Sequence, residues 1–435
     1  MHCSNCGTEL PDNAKFCPEC GAEFAIPIEK PVQQSLPPRR AAPAQAPQAS
    51  IPSRQVQPTG VQEDNTQTNA AYVARRARRA RKASASRVII SLILIFAVIG
   101  SAMAVITLTT WGSYKGDAQY KYAPASIPTK DAWSFSTDSA NLNIVYTTNA
   151  SAPEIQVAVH YDFAGAFIKG KTAADLYTLT FDNASKQFSL ARKDILTFAM
   201  IDNSSVFVTL NPAVTFNITA SVASGNLVMM IPDGIKAGSL SLTASSGNNH
   251  LVIGSNATIE GTVNVVTISG NVDFTSGNST YAKAMAFRAT SGNVGVTLFR
   301  VNASGNIVAN ATSGNVNVNI ANMTLGANIR LDVGVLSGNI NLVVDQRANP
   351  AKNVSCYLGT ASGNVVVNYK AMSSQSSAKF TSTKVSGNIY CTDNGGFSKP
   401  SGDCSIFQSN QGKPCNFDAK LNTVSGNIRI TGQMF

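Results

Sequence analysis

Ser291-Gly292-Asn293-Val294-Gly295-Val296-Thr297-Leu298 and then Ser313-Gly314-Asn315-Val316-Asn317-Val318-Asn319-Ile320 carry the pattern that decides the fold. After each Ser-Gly-Asn the apolar residues fall on every second position, which is the burial period of a strand with one face in a core. The same alternation follows the other triads, as in Ile340 and Leu342 after Asn339, or Ile428 and Ile430 after Asn427. Each triad therefore reads as a corner leading into a strand. Gly takes a backbone angle that other residues resist, and Asn or Ser side chains can satisfy the corner's main-chain groups.

The tripeptide starts at 224, 246, 269, 276, 291, 304, 313, 337, 362, 386 and 425. With Gly near 7% of an average chain, and Ser and Asn each near roughly a tenth of this one, chance would give fewer than one. Leaving out 276 and 304, the intervals are 22, 23, 22, 22, 24, 25, 24 and 39. The last reads as one ordinary interval plus an insertion of about fifteen residues, an insertion that holds Cys404 and Cys415. Leucine-rich repeats share the period but need a Leu-x-x-Leu-x-Leu pattern that is missing here. Hairpins of a sandwich would bring turns every 8 to 12 residues, about half the dominant interval, although the triads at 276 and 304 keep that alternative open. The preferred reading is mainly β: a β-solenoid over 221–435, each interval one coil stacked on the next at about 4.8 Å, nine coils reaching on the order of 40 Å. Residues 115–220, with Asn143-Ile144-Val145-Tyr146 and Val206-Phe207-Val208-Thr209-Leu210, read as a β-rich cap over the membrane-proximal end.

The repeats of Ser224 onward resemble the putative-adhesin solenoid family, whose coils carry Ser-Gly-Asn or Ser-Gly-Asp followed by alternating aliphatics. That resemblance implies a cell-surface or envelope module with no catalytic residues to carry over.

Upstream, Val88 to Leu108 is a run of 21 uncharged residues, long enough as a helix to cross a hydrocarbon core of about 30 Å. The span is placed at 88–111. Before it, 75–87 holds Arg75, Arg76, Arg78, Arg79, Arg81, Lys82 and Arg87, which sets the N-terminal side in the cytoplasm and the C-terminal side outside the cell. Trp111 and Tyr114 are then expected at the outer headgroups. The basic run is read as a topology signal and lipid contact, in preference to a nucleic-acid patch. A bilayer and attached sugar would also explain how a chain of 435 residues with net charge +10 carries only 13% charged residues against 44% hydrophobic.

Cysteine use supports two compartments. Cys3, Cys6, Cys17 and Cys20 form two Cys-x-x-Cys-Gly knuckles near the start, a donor set suited to tetrahedral zinc with no open coordination position, and therefore structural zinc. Residues 1–24 resemble the short zinc ribbon found at the start of many prokaryotic membrane proteins. Residues 25–74, rich in Pro, Gln, Ala and Ser, read as a disordered tether. Cys356, Cys391, Cys404 and Cys415 lie on the outer side and are disulfide candidates with three pairings open, of which the shortest loops give Cys404 with Cys415 and Cys356 with Cys391. Ten glycosylation sequons, at Asn149, Asn183, Asn203, Asn217, Asn256, Asn278, Asn302, Asn310, Asn322 and Asn353, all follow the span.

His2, His160 and His250 are far apart, and no two acids after residue 224 are closer than ten positions; Asp393 and Asp418, about one period apart, are the nearest case for a carboxylate pair. The sequence therefore points away from an enzyme. It predicts a single-pass surface protein whose repeated Ser, Thr and Asn faces bind or scaffold a surface glycan, a protein or another copy of the chain. The alternative is a transmembrane sensor in which outside binding alters the association of the ribbon with a cytoplasmic partner, acting through clustering because a flexible tether transmits torque poorly. Sequon density and the ribbon suggest an archaeal cell.

Overall fold

The computed structural model describes residues 93–101, 104–105, 108–193, 200–347, 352–409, 413 and 415–435. The chain divides into two units, Met1–Ala104 and Val105–Phe435. In the first, residues 93–101 and 104 are helical, and the Ser101 hydroxyl donates to the Val98 carbonyl at 2.9 Å, returning a polar group to its own helix. Among the described residues no helix is long and apolar enough to cross a membrane. The expected ribbon, tether and basic segment lie outside the described residues, as do 88–92, 102–103 and 106–107 of the expected span.

The second unit is built from parallel strands that repeat one register. In a central coil, the Val263–Ser269 strand runs into the Ser269-Gly270-Asn271 corner, the Val272–Gly277 strand follows, and the two-residue Thr280–Tyr281 strand closes the circuit. Each of the three pairs in parallel with its counterpart one interval later: Val263 with Met285, Val272 with Val294, Thr280 with Asn302. Three sheets result. A leading sheet enters the corners, a trailing sheet leaves them, and a short sheet of five two-residue strands completes each central coil. The alternation seen in the sequence is the inward set: Val294, Val296 and Leu298 are buried, as are Val316, Val318 and Ile320. Each such side chain contributes roughly 1.5–3 kcal/mol through burial. Phe274 and Phe287, from facing sheets, stack at 4.5 Å in the interior.

The corners align. Gly292 has φ 140° and Gly314 φ 139°, and a Cβ on Gly292 would lie 1.8 Å from the Gly270 carbonyl oxygen. Only glycine fits where successive backbones approach this closely. Each corner Asn then accepts, through Oδ1, the backbone N–H of the next corner Asn: Asn293 from Asn315 at 2.8 Å, Asn315 from Asn339 at 3.0 Å. The triads at 276 and 304 lie elsewhere. Asn278 begins the short-sheet side with φ 44°, and Ser304-Gly305-Asn306 precedes the Ile307–Ser313 strand.

Both ends depart from sequence order. At the proximal end the Lys130–Thr137 and Asn141–Tyr146 strands pair with Thr215–Ser224 and Leu227–Ile231, so the stack begins inside the region expected to be cap. Its first corner is Ser139-Ala140-Asn141, and Asn141 Oδ1 accepts the Asn226 N–H at 2.8 Å. The intervening chain supplies antiparallel strands, among them Ile155–Gly165, which pairs with Gly112–Tyr122. Tyr114 belongs to that pairing and stacks on Phe163 at 5.1 Å.

At the distal end the 39-residue interval is not one coil with a simple insertion. The final strands, Cys415–Ser425 and Ile428–Met434, slot between the Val354–Ser362/Val365–Ala371 coil and the earlier Ser376–Ser386/Ile389–Asp393 strands. The Asn ladder follows this spatial order: Asn427 donates to Asn364, and Asn388 donates to Asn427. The chain between is spent on the Phe397–Ser398 and Ile406–Ser409 strands, which pair antiparallel and extend the leading sheet. Phe380, Phe397, Phe407, Phe417 and Tyr369 close the core there, with Phe397 and Phe407 stacked at 4.7 Å.

Candidate binding faces

The strand register sorts the sequence-derived site residues. Cys3, Cys6, Cys17 and Cys20 fall outside the described residues. Cys391 is bonded to Cys404, with Cα atoms 5.8 Å apart, and Cys356 is a buried free thiol, which overturns both shortest-loop pairings. The reason is topological: Cys356 points into the core of its coil, whereas Cys391 lies on the last trailing strand, beside the loop that carries Cys404. Burial, aided by Asp332, pushes the Cys356 thiol well above its ordinary pKa, as expected for an inert core cysteine. Cys415 opens the Cys415–Ser425 strand.

All ten sequon asparagines are accessible: Asn302, Asn310 and Asn322 are half-buried and the other seven exposed. Asp393 and Asp418 stand on different sheets, so the period that made them a candidate pair does not bring them together. His160 pairs with Asp117 at 2.8 Å and His250 with Asp273 at 3.0 Å, each on an open face. Among the described residues no three His, Cys, Asp or Glu side chains gather in a metal-binding arrangement.

The outward positions form straight columns because the register never slips between neighbouring central coils. On the trailing sheet His250, Asp273, Gly295 and Asn317 are successive members of one column, beside the corner ladder of Asn248, Asn271 and Asn293. The missing side chain at Gly295 helps open a shallow depression of about 390 Å³ over these residues. On the leading sheet the Arg330 guanidinium lies 4.3 Å from the Tyr357 ring centre, with Lys420 on the same ring at 5.6 Å. The short-sheet side carries the larger depression, about 450 Å³, lined by Asn278, Thr280, Arg300, Asn302, Asn322 and Arg347 among others.

A different cluster lies at the proximal end, and the sequence reading missed it because it weighed acids only from residue 224 onward. Glu154 is fully buried, its Oε1 3.3 Å from the Trp133 indole nitrogen and 4.0 Å from Lys186 Nζ, while Oε2 has no hydrogen-bond partner. Burial first, then the Asp131 carboxylate beside it, raises the Glu154 pKa to about 7. Burial also opposes ionisation of Asp131, but hydrogen bonds from Glu154, Lys186 and the Ala132 N–H outweigh it and hold that pKa below the ordinary value. Lys186 donates to Asp131 at 2.8 Å and sits 3.9 Å above the Tyr122 ring. The group ties four segments together beneath the first coil. It has the chemistry of an acid–base pair, with Glu154 fully buried and Asp131 and Lys186 partly exposed.

Two families match the chain. Residues 2–24 match the zinc-ribbon domain, and residues 133–391 match the toastrack DUF4097 family. The chain belongs to the toastrack DUF4097 family. The toastrack match begins at Trp133, inside the first coil of the stack, and ends at Cys391, in its last trailing strand. Three solved structures overlap much of the chain. A putative cell adhesion protein from Clostridium sporogenes is 9% identical and covers 73% of this chain and 100% of its own, with a TM-score of 0.18. A putative adhesin from Bacteroides fragilis is 12% identical over 73% of this chain and 97% of its own, at 0.30. One from Parabacteroides distasonis is 10% identical over the same shares, at 0.23. No curated protein matches the chain.

Proposed function

We propose that this toastrack chain is a single-pass surface protein whose β-solenoid binds or scaffolds, carried on a structural zinc ribbon inside the cell. The observation that carries the binding reading is the set of in-register outward columns. A continuous apolar interior keeps Asn, Thr, His, Asp and Arg at strand spacing over many coils, which is what a repeated or extended partner would meet. The partner class is a surface glycan, an envelope protein or a second copy of the chain.

Non-enzymatic action is part of the proposal. Glu154 of the carboxylate pair Asp131/Glu154 is buried and Asp131 is tied to Lys186, and each described histidine is matched to one Asp on an open sheet. Anchoring rests on the uncharged run 88–108 and the basic residues before it. The ribbon's four thiols would hold Zn²⁺ tetrahedrally, with the metal supplying the folding energy that so small a unit lacks. Accessible sequons on the leading and short sheets and in the turns fit a sugar-coated outer domain.

Protease shaving of intact cells, followed by mass spectrometry of released peptides and glycans, tests the reading. Peptides from after residue 130 should be released and those from 1–80 retained. The reverse pattern overturns it. Zinc should accompany the intact chain in a ratio of one to one, and a chain with Cys17→Ser and Cys20→Ser should lose it.

A further inference from the structure

We propose that the short-sheet groove binds an acidic carbohydrate, with Arg300 and Arg347 as its anion contacts; the proposal rests on the binding reading above and names its ligand class. The groove runs along the turn between the trailing and short sheets. In three coils that turn places Asn in the left-handed region, at Asn256 (φ 57°), Asn278 (φ 44°) and Asn322 (φ 52°). Asn tolerates this conformation because its short side chain bonds locally. The coil between Asn278 and Asn322 puts Arg300 there at φ 54°, and the coil before Asn256 has Gly234. A long side chain gains nothing from that backbone, so local folding does not explain the arginine, and its guanidinium is free to serve the groove. Arg300 is exposed, its guanidinium 5.0 Å from the Phe299 ring, and among the described residues it has no acidic partner.

Arg347 stands two coils further on and is held in place. Its guanidinium bonds Asp345 at 3.0 and 3.3 Å, and its backbone N–H donates to Asn322 Oδ1 at 3.0 Å. Two strand spacings separate the arginines by on the order of 10 Å, a span that suits acidic groups on alternate sugars of a chain. The floor between them offers hydroxyls and amides from Thr280, Asn302, Asn322 and Thr324, and none of the groove's lining residues is acidic. A guanidinium fork pairs with carboxylate or sulfate in two parallel bonds, which Arg300 can offer; Arg347, whose Nε and Nη2 already hold Asp345, offers its remaining N–H groups, and neighbouring hydroxyl and amide groups match sugar hydroxyls.

Asn278, Asn302 and Asn322 are also sequon residues, and a glycan on any of them would fill the groove. Their amides already build its wall: Asn278 Nδ2 donates to Asn256 Oδ1 at 2.9 Å, and Asn322 accepts from Arg347 as above. The proposal therefore requires these three to be unmodified.

The test uses the full chain in detergent micelles, titrated with polygalacturonate, neutral dextran and inorganic phosphate. Polygalacturonate should bind and dextran should not. Arg300→Gln and Arg347→Gln should each weaken binding by roughly tenfold, Arg300→Lys should retain part of it, and Arg288→Gln on the leading sheet should change nothing. Equal binding of dextran, or retention in Arg300→Gln, overturns the groove while leaving a binding surface elsewhere. Competition by phosphate at the concentration of uronate groups marks a general anion site and overturns the carbohydrate assignment. Glycans found by mass spectrometry on Asn278, Asn302 or Asn322 also overturn it. Absence of binding to either polymer overturns the groove alone, whereas the surface reading stands or falls separately on the shaving pattern.

Discussion

The middle of the stack and its two ends solve the same problem differently. Between Leu240 and Leu325 each coil rests on the one before it in sequence, and every partner is about one interval away. At the ends the partners are distant. The first coil, 130–146, meets its neighbour only after a long excursion, and the last residues of the chain enter between two coils already made. Central coils can therefore form by local addition, while each end must wait for a non-local strand to arrive. The ends also carry what the middle lacks: antiparallel pairing, large aromatic clusters, the disulfide and the buried acid pair.

The sharpest way to break this comparison is one substitution made in both regions. Gly292→Ala places a Cβ 1.8 Å from the Gly270 carbonyl at φ 140°, so the coils on either side must part; a loss of about 4 kcal/mol or more is expected, read as failure to fold or a large fall in Tm. Gly402→Ala, at φ 75° with open space around it, should cost only about 1 kcal/mol. Equal losses would mean that corner packing does not hold the middle together.

Next in size is the disulfide. Reducing Cys391–Cys404 reopens a short loop and should remove roughly 2–3 kcal/mol from the distal end alone. Hydrogen exchange should then rise over 376–409 and stay unchanged over 240–325. Uniform loss of protection would show that the intercalated end and the middle unfold as one.

The proximal end should be distinguished by pH. A carboxyl whose pKa is raised by folding stabilises fully below its ordinary value, and that contribution fades as pH rises through the folded value, here about 7 for Glu154. Asp131, lowered in the fold, acts in the opposite sense and loses its contribution as pH falls. Glu154→Gln should therefore raise stability at pH 8 by on the order of 2 kcal/mol and leave it nearly unchanged at pH 5. Tm measured at both values checks this; a variant less stable at pH 8 would show that the carboxylate is satisfied there.

What could be read in advance divides along the same line. Ser-Gly-Asn followed by Val294, Val296 and Leu298 revealed the corner, the inward face and the coil period, because all three are fixed within eight residues. Ser139-Ala140-Asn141 escaped because Ala stands where the later corners carry a positive-φ glycine, and Ala140 is buried without that conformation. The order of the last two coils was hidden for a different reason. Both carry the same motif, at 386 and 425, so either could rest on Val354–Ser362, and the choice is made by the aromatic cap around Phe397 and Phe407. The cysteine pairing failed with it, since loop length cannot foresee which strands the cap brings together. The groove residues were visible as sequons, but the place of Arg300 among left-handed asparagines needed the backbone.

The smallest expected effect tests whether the ladder is continuous. Asn315→Ala removes an acceptor whose loss leaves the Asn339 N–H without its partner, and the Asn339 side-chain amide donates to the same oxygen at 3.0 Å. A cost of about 1–2 kcal/mol is expected. At Asn388 the ladder reaches the last coil among the described residues, and its side chain has no later corner to receive. Asn388→Ala should therefore cost less than about 0.5 kcal/mol. If the two variants lose stability equally, the asparagines act only through their own corner conformation, and the alignment of successive corners is a consequence of the strands and not a contributor to them.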